Sequence, residues 1–194
     1  MTRTDLLAHA FPVFKWGVYG LLSLNVVLFL VGQTLVEAVD SLAWLLLLLL
    51  LEWETHRPRE GTLVGRARAR LRAGRALAYV VIVDSALEYS GAAFRAEYGD
   101  VDMWNAWTWI AVTVVLEFDL WVPHRYGRAS WWARNGVKAA LYAALFVYVL
   151  LWTRAGSWLD GYDAGLWILC FFVIELNIFD LERPAGASEA ADVA

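Results

Sequence analysis

Seven acidic side chains lie within, or at the ends of, segments that are otherwise apolar enough to be membrane helices. A charged side chain in hydrocarbon costs about 2.5–3.5 kcal/mol even on insertion scales. Each of these carboxyl groups must therefore be protonated, paired, hydrated or bound to a cation. Proton relays and cation-coupled transporters use carboxyl groups that gain and lose a proton at this depth, and the pattern indicates that chemistry. The seven residues are Glu52, Glu54, Asp84, Glu88, Glu117, Asp119 and Glu175.

Asp84 and Glu88 form an acidic pair four residues apart, on one face of the predicted third helix. The matching positions of the first helix hold Leu24 and Leu28, so the pair is specific to one part of the chain. Arg154 lies about one turn from Glu88 in depth, and pairing with it is the structural alternative to a functional role. We expect Asp84 and Glu88 to lie inside the helix bundle and to form a relay.

The elements that position these acids are predicted from composition and apolar length. The chain of 194 residues is 60% apolar and contains 12 Trp, which is typical of a polytopic membrane protein. About 20 apolar residues cross about 30 Å of hydrocarbon, and six stretches approach that length. We therefore predict an all-α fold with six transmembrane helices and no removable signal peptide. The stretches are residues 11–36, 40–53, 76–94, 104–121, 138–153 and 164–179.

Basic residues are concentrated in alternate loops. Residues 57–75 contain seven arginines and residues 125–138 contain four basic residues, whereas the other loops are acidic. The positive-inside rule then places both termini in the cytoplasm of a multi-pass protein of a bacterial-type inner membrane. We expect one transmembrane domain over residues 1–183, a basic cytoplasmic linker over 55–74 and a disordered tail over 184–194. The lipid bilayer is the expected environment, and no nucleic-acid partner is predicted.

Polar and aromatic residues recur at equal spacing in three parts of the chain. In each part a basic residue precedes a tyrosine by four positions, and a tryptophan precedes a glutamate by eight. These residues are Lys15, Tyr19, Trp44 and Glu52, then Arg75, Tyr79, Trp109 and Glu117, then Lys138, Tyr142, Trp167 and Glu175. Asp40 also aligns with Asp163. We predict three pseudo-symmetric two-helix hairpin repeats, at about residues 15–54, 75–119 and 138–177.

Hairpin geometry predicts hydrogen-bond partners for the three tyrosines. With a turn near residues 35–40 and a rise of about 1.5 Å per residue, Tyr19 lies near the depth of Glu54. We expect Tyr19, Tyr79 and Tyr142 to donate to Glu54, Asp119 and Asn177, or to the glutamates half a turn away. The basic residues lie about two turns further toward the cytoplasm, so only a long reach brings them to these acids. A ring of hydrogen-bonded glutamates that holds the hairpins together is the structural alternative to a binding role.

Three hypotheses for function follow from this pattern. The leading one is a proton or cation channel or transporter, with Asp84 and Glu88 as the relay and with Glu117, Asp119 and Glu175 as a cytoplasmic vestibule. The alternative is a non-catalytic accessory or scaffold subunit, whose acids are satisfied internally, by a second copy or by a basic helix of a membrane partner. A metalloenzyme using His56 or His124 is the third, but no paired metal-ligand motif is present. We therefore predict no metal, cofactor or catalytic residue.

Overall fold

The computed structural model describes residues 3–55, 65–121 and 128–181, and side chains over 13–53, 65–118 and 132–171. All regular secondary structure in these ranges is α-helical. The helices are α1 (Arg3–Gly32), α2 (Leu35–Thr55), α3 (Arg66–Tyr89), α4 (Ala92–Tyr98), α5 (Val101–Trp121), α6 (Arg128–Ala155) and α7 (Trp158–Leu181). The short α4 was not predicted as a separate helix. It overlaps the end of the predicted stretch 76–94 and continues into the loop expected after it.

The six long helices form a closed ring. Each packs against the next long helix along the chain, and α7 returns to pack against α1. The short α4 packs against the end of α3, from which it bends by 69°. This ring leaves one set of side chains facing a shared interior and another facing outward, which decides which polar residues can meet.

Three tryptophans meet in the interior of the ring. The ring centroid of Trp44 on α2 lies 6.2 Å from that of Trp109 on α5 and 6.3 Å from that of Trp167 on α7. Around them pack fully buried aliphatic side chains, including Leu22 and Leu145. Van der Waals contact between these large side chains holds the helices together, in lipid as well as in water.

Local sequence explains two of the tight connections between helices. Thr34 precedes α2 and forms a capping box: its hydroxyl and its backbone N–H both donate to Glu37 at 2.7 Å, while its hydroxyl oxygen accepts from the Glu37 N–H at 3.3 Å. Gly156 ends α6 with a positive φ of 87°. The Ser157 N–H donates to the Trp152 carbonyl at 3.0 Å, and the Gly156 N–H donates to the Thr153 carbonyl, which is a Schellman motif.

Two helices of the described chain are long and apolar enough to cross a membrane, over Val13–Gly32 in α1 and Trp132–Ala155 in α6. The bent pair α3 and α4 is a third if it counts as one span. Six were expected. In α2, acidic residues near both ends interrupt the long uncharged window that a spanning helix needs: Glu37, Asp40, Glu52 and Glu54.

The predicted linker, 55–74, is described only in part, and the predicted tail, 184–194, is not described. Helix α3 begins at Arg66, so residues 66–74 of the predicted linker are helical and continuous with α3. Residues 56–64 and the predicted tail, 184–194, lie outside the described residues.

Candidate functional site

The predicted relay residues lie on the outer surface of the ring. Asp84 and Glu88 are both exposed, whereas the buried face of α3 carries Ile82, Ser85 and Tyr89. Among the described side chains, neither carboxyl group has an ion-pair partner. The expectation that this pair lies inside the bundle is therefore corrected. The i, i+4 spacing places both residues on one face, but that spacing does not say whether the face points inward.

Two of the predicted tyrosines contact the repeated glutamates. The Tyr19 hydroxyl donates to Glu52 at 3.2 Å, and Lys15 forms an ion pair with the same carboxylate. The Tyr79 hydroxyl donates to Glu117 at 2.7 Å, and Arg75 forms an ion pair with that group. Tyr19 and Tyr79 thus meet the glutamates, which are the second of the two partners predicted for each.

The third set of repeated residues is described only in part. Tyr142 and Lys138 lie at the same end of the ring, and both make further contacts. The side chains of Glu54, Asp119 and Glu175 lie outside the described side chains, as do those of all three histidines. Because Glu52 and Glu117 each have a cation and a hydroxyl donor, their described geometry is that of a structural clamp between neighbouring helices.

The opposite end of the ring contains an acidic cavity. Its volume is about 60 Å³, which is room for several water molecules or one small cation. Five carboxyl groups line it, and no basic side chain is among the lining residues. All six long helices contribute to the walls. The five acids are Glu37, Asp40, Asp102, Asp160 and Asp163, and the aromatic walls are Phe29, Trp44, Tyr89, Trp109, Trp152, Trp167 and Phe171.

Equal spacing in the sequence positions the cavity acids. In α2, α5 and α7 an acidic residue precedes the central tryptophan by seven positions, and Asp40, Asn105 and Asp163 precede it by four. A helical repeat of 3.6 residues puts positions separated by seven, four and zero on one face, which here points into the ring. Since all three helices begin at this end, their positive N-termini also favour negative charge there.

Helix-end electrostatics accounts for only part of this cluster. Glu37, Asp102 and Asp160 lie in the first turns of their helices, where acids are common. Asp40 and Asp163 lie about one turn further in, where the dipole effect is weaker. Asp163 accepts a hydrogen bond of 2.8 Å from Asn25, a side chain of α1 that is completely buried. The Asn105 side-chain oxygen is buried against the cavity and has no hydrogen-bond partner among the described residues.

Two cavity acids that precede the apolar stretches have raised pKa values. Burial, together with the negative charge of Glu37, raises the pKa of Asp102 to about 6 and that of Asp160 to about 7. Both groups therefore change charge near neutral pH. Five carboxyl groups in one small space repel one another when ionised, so a proton or another cation stabilises the site.

A second, larger opening lies between α2, α3 and α5, toward the basic ends of these helices. We call it the lateral groove. Its volume is about 990 Å³, and most of its lining is apolar. Trp44 lines both the lateral groove and the acidic cavity. The polar lining residues include Arg68, Arg72 and the Arg75–Glu117 pair.

The described geometry shows the structural class of the chain, but comparison with known proteins identifies no relative. Within the described ranges the chain is a ring of α-helices, some of them apolar enough to span a membrane, with an acidic aromatic cavity at one end. In those ranges no three His, Cys, Asp or Glu side chains come close enough to hold a metal ion. No protein-family model matches the chain, and no curated protein or solved structure is significantly similar to it.

Proposed function

We propose that this chain is a six-helix integral membrane protein, built from three two-helix repeats, which binds a cation in the acidic cavity and passes or couples it across the membrane. Both termini lie in the cytoplasm, so the cavity faces the opposite side. The observation that carries the proposal is the convergence of five carboxyl groups and seven aromatic rings on one cavity without a basic lining residue. Since no three of the described carboxyl groups come close enough to hold a metal ion, the carboxylate charges and the aromatic faces attract the cation without direct coordination by three carboxylates.

In this proposal the cavity acids bind the cation, and Asp84 and Glu88 do not. Asp40 and Asp163 form the core of the site because they lie deepest in it, next to Trp44 and Trp167. Asp102 and Asp160 lie nearer its outer edge and titrate near neutral pH. Glu52 and Glu117 hold the cytoplasmic ends of neighbouring helices together through their ion pairs with Lys15 and Arg75.

Cation flux into proteoliposomes tests this function. Native protein is expected to carry at least one of H⁺, Na⁺ or methylammonium under a valinomycin-set potential, or K⁺ in vesicles without valinomycin. Asp40→Asn/Asp163→Asn is expected to lower that flux at least 10- to 100-fold, because the loss of one charge-assisted contact worth about 1.5–3 kcal/mol already corresponds to that range. Flux of a cation other than H⁺ should rise from pH 5 to pH 8, because Asp102 and Asp160 lose the competing protons in that range.

A matched variant removes the same charge from the surface. Asp84→Asn/Glu88→Gln is expected to retain the native flux, since both side chains are exposed on α3. If this variant loses the flux and Asp40→Asn/Asp163→Asn retains it, then Asp84 and Glu88 form the relay and the cavity acids do not. Folded native protein that carries none of the four cations would contradict the transport proposal.

The exposed acidic pair favours a second candidate function, which is assembly with another membrane subunit. Asp84 and Glu88 are flanked on α3 by exposed Val80 and Leu87, so two carboxyl groups share an apolar outer face. Arg154 is exposed on α6 and has no ion-pair partner among the described residues. A second copy in the same orientation offers Arg154 at nearly the depth of Glu88. This contact satisfies charges that are costly in lipid.

Disulfide cross-linking tests this assembly. Leu87, Leu150 and Val27 are exposed on α3, α6 and α1, each twelve residues beyond the basic residue of its repeat. The pair Leu87→Cys/Leu150→Cys is expected to give covalent dimers and higher species in membranes. The pair Leu87→Cys/Val27→Cys is the depth-matched control and should remain monomeric. Equal cross-linking of both pairs, or dimers from Leu87→Cys alone, would contradict an α3–α6 contact.

A further inference from the structure

The lateral groove combines an apolar interior with positive charge at one end. Ile82 and Val83 of α3 and Ile110 and Val114 of α5 line its apolar part. Val83 and Val114 line the groove and are exposed, so the opening faces outward. A groove of this shape accepts an elongated apolar chain that enters from the side of the protein.

Two arginines mark the cytoplasmic end of the groove. Arg68 and Arg72 are four residues apart on α3, so their side chains lie on one helical face, and both are exposed and line the groove. Arg75, one turn further along, is already in an ion pair with Glu117. Arg68 and Arg72 thus offer two guanidinium groups close to the apolar lining. Guanidinium groups bind phosphate oxygens through paired N–H donors.

We propose that the lateral groove binds an anionic phospholipid of the cytoplasmic leaflet. Its phosphate lies on Arg68 and Arg72, and one acyl chain lies along Ile82, Val83, Ile110 and Val114. The combination of a charged end and a long apolar part fits a phospholipid better than a soluble phosphate, which uses only the arginines. The cytoplasmic leaflet is the anionic one, which matches the orientation of the arginines. This inference rests on the membrane embedding in the proposed function but not on cation passage.

Lipid retention by the purified full-length protein tests the inference. The protein is reconstituted in nanodiscs with equal phosphatidylglycerol and phosphatidylcholine, extracted into detergent, and its bound lipids are measured by native mass spectrometry. Native protein is expected to retain phosphatidylglycerol preferentially. Arg68→Gln/Arg72→Gln is expected to lower that preference about tenfold. Phosphatidylglycerol has a net negative charge, which phosphatidylcholine lacks, and the loss of about 1.4 kcal/mol of attraction to that charge corresponds to tenfold.

The same helix supplies the control. Arg66 and Arg70 have the same spacing on α3, are exposed, and are not among the lining residues of the groove. Arg66→Gln/Arg70→Gln removes equal charge and should keep the preference within about twofold, because neither side chain lines the groove. Equal losses in both double variants would show general attraction of anionic lipid and would overturn the site.

A groove-filling variant tests the acyl-chain part. Val114→Trp is expected to reduce retention of phosphatidylglycerol while Arg68 and Arg72 remain in place. Retention unchanged by this variant, or full displacement of the lipid by inorganic phosphate, would overturn a phospholipid occupant. All retention measurements are made without a cation gradient. If cation flux fails and selective lipid retention is observed, this inference therefore still holds. If cation flux is observed and selective lipid retention fails, only this inference is contradicted.

Discussion

Replacing Trp44 by alanine is expected to lower the free energy of unfolding by about 3–5 kcal/mol. Trp44 is only 8% exposed, and its ring contacts those of Trp109 and Trp167. Truncation leaves a void at the meeting point of α2, α5 and α7, which the surrounding ring of helices cannot close. Unfolding in mixed detergent micelles, followed by circular dichroism, measures the change.

Trp104→Ala is the control for this prediction. Trp104 lies on α5, five residues before Trp109, but is 55% exposed. Its removal should change the free energy of unfolding by less than about 1 kcal/mol, because exposed substitutions away from the core have small effects. Equal destabilisation by the two variants would show that the three-tryptophan contact does not hold the helices together.

Replacing Lys15 by methionine is expected to destabilise the protein by about 3 kcal/mol. The Lys15 and Glu52 side chains are only 13% and 19% exposed, so the variant removes the cation from a carboxylate with little access to water. The more exposed Arg75–Glu117 pair, at 22% and 30%, should lose less in Arg75→Met. The same detergent unfolding measures both variants.

The double variant Lys15→Met/Glu52→Leu separates the ion pair from simple packing. It removes both charges and is expected to be more stable than Lys15→Met alone, because no buried carboxylate remains without its cation. If the double variant instead loses as much free energy of unfolding as Lys15→Met and Glu52→Leu lose when added together, Lys15 and Glu52 are not energetically coupled.

The sequence predicted the helical class and the contacts of Tyr19 and Tyr79 with the repeated glutamates. Apolar stretches separated by charged loops place the long helices well, because apolar length is a local property of the chain. Helix geometry in one dimension did not say which of two nearby acids Tyr19 and Tyr79 meet. It also placed the basic residues about two turns from the glutamates, with which Lys15 and Arg75 in fact form ion pairs. The interpretation of the spacing as three repeats stays a prediction.

The principal site could not be chosen from the sequence because it depends on tertiary packing. Asp40 and Asp163 were assigned to acidic outer loops, and their alignment was used only for the repeat. Their spacing from Trp44 and Trp167 was the signal that could have identified the cavity. For Asp84 and Glu88 the prediction was wrong in the opposite direction, because it placed exposed side chains inside the bundle. Their rarity suggested an interior role, but only the packing of α3 against α2 and α5 determines which face of a helix is buried.

The Trp44 side chain lines the acidic cavity on one side and the lateral groove on the other. Any shift of this side chain that enlarges one space must reduce the other, since the interior around it is closely packed. Occupants of the two spaces are then thermodynamically linked, and the linkage is reciprocal: if a lipid in the groove weakens cation binding by some factor, the cation weakens lipid binding by the same factor. Under the two proposals above, a phospholipid bound in the groove thereby changes the affinity of the acidic cavity for its cation.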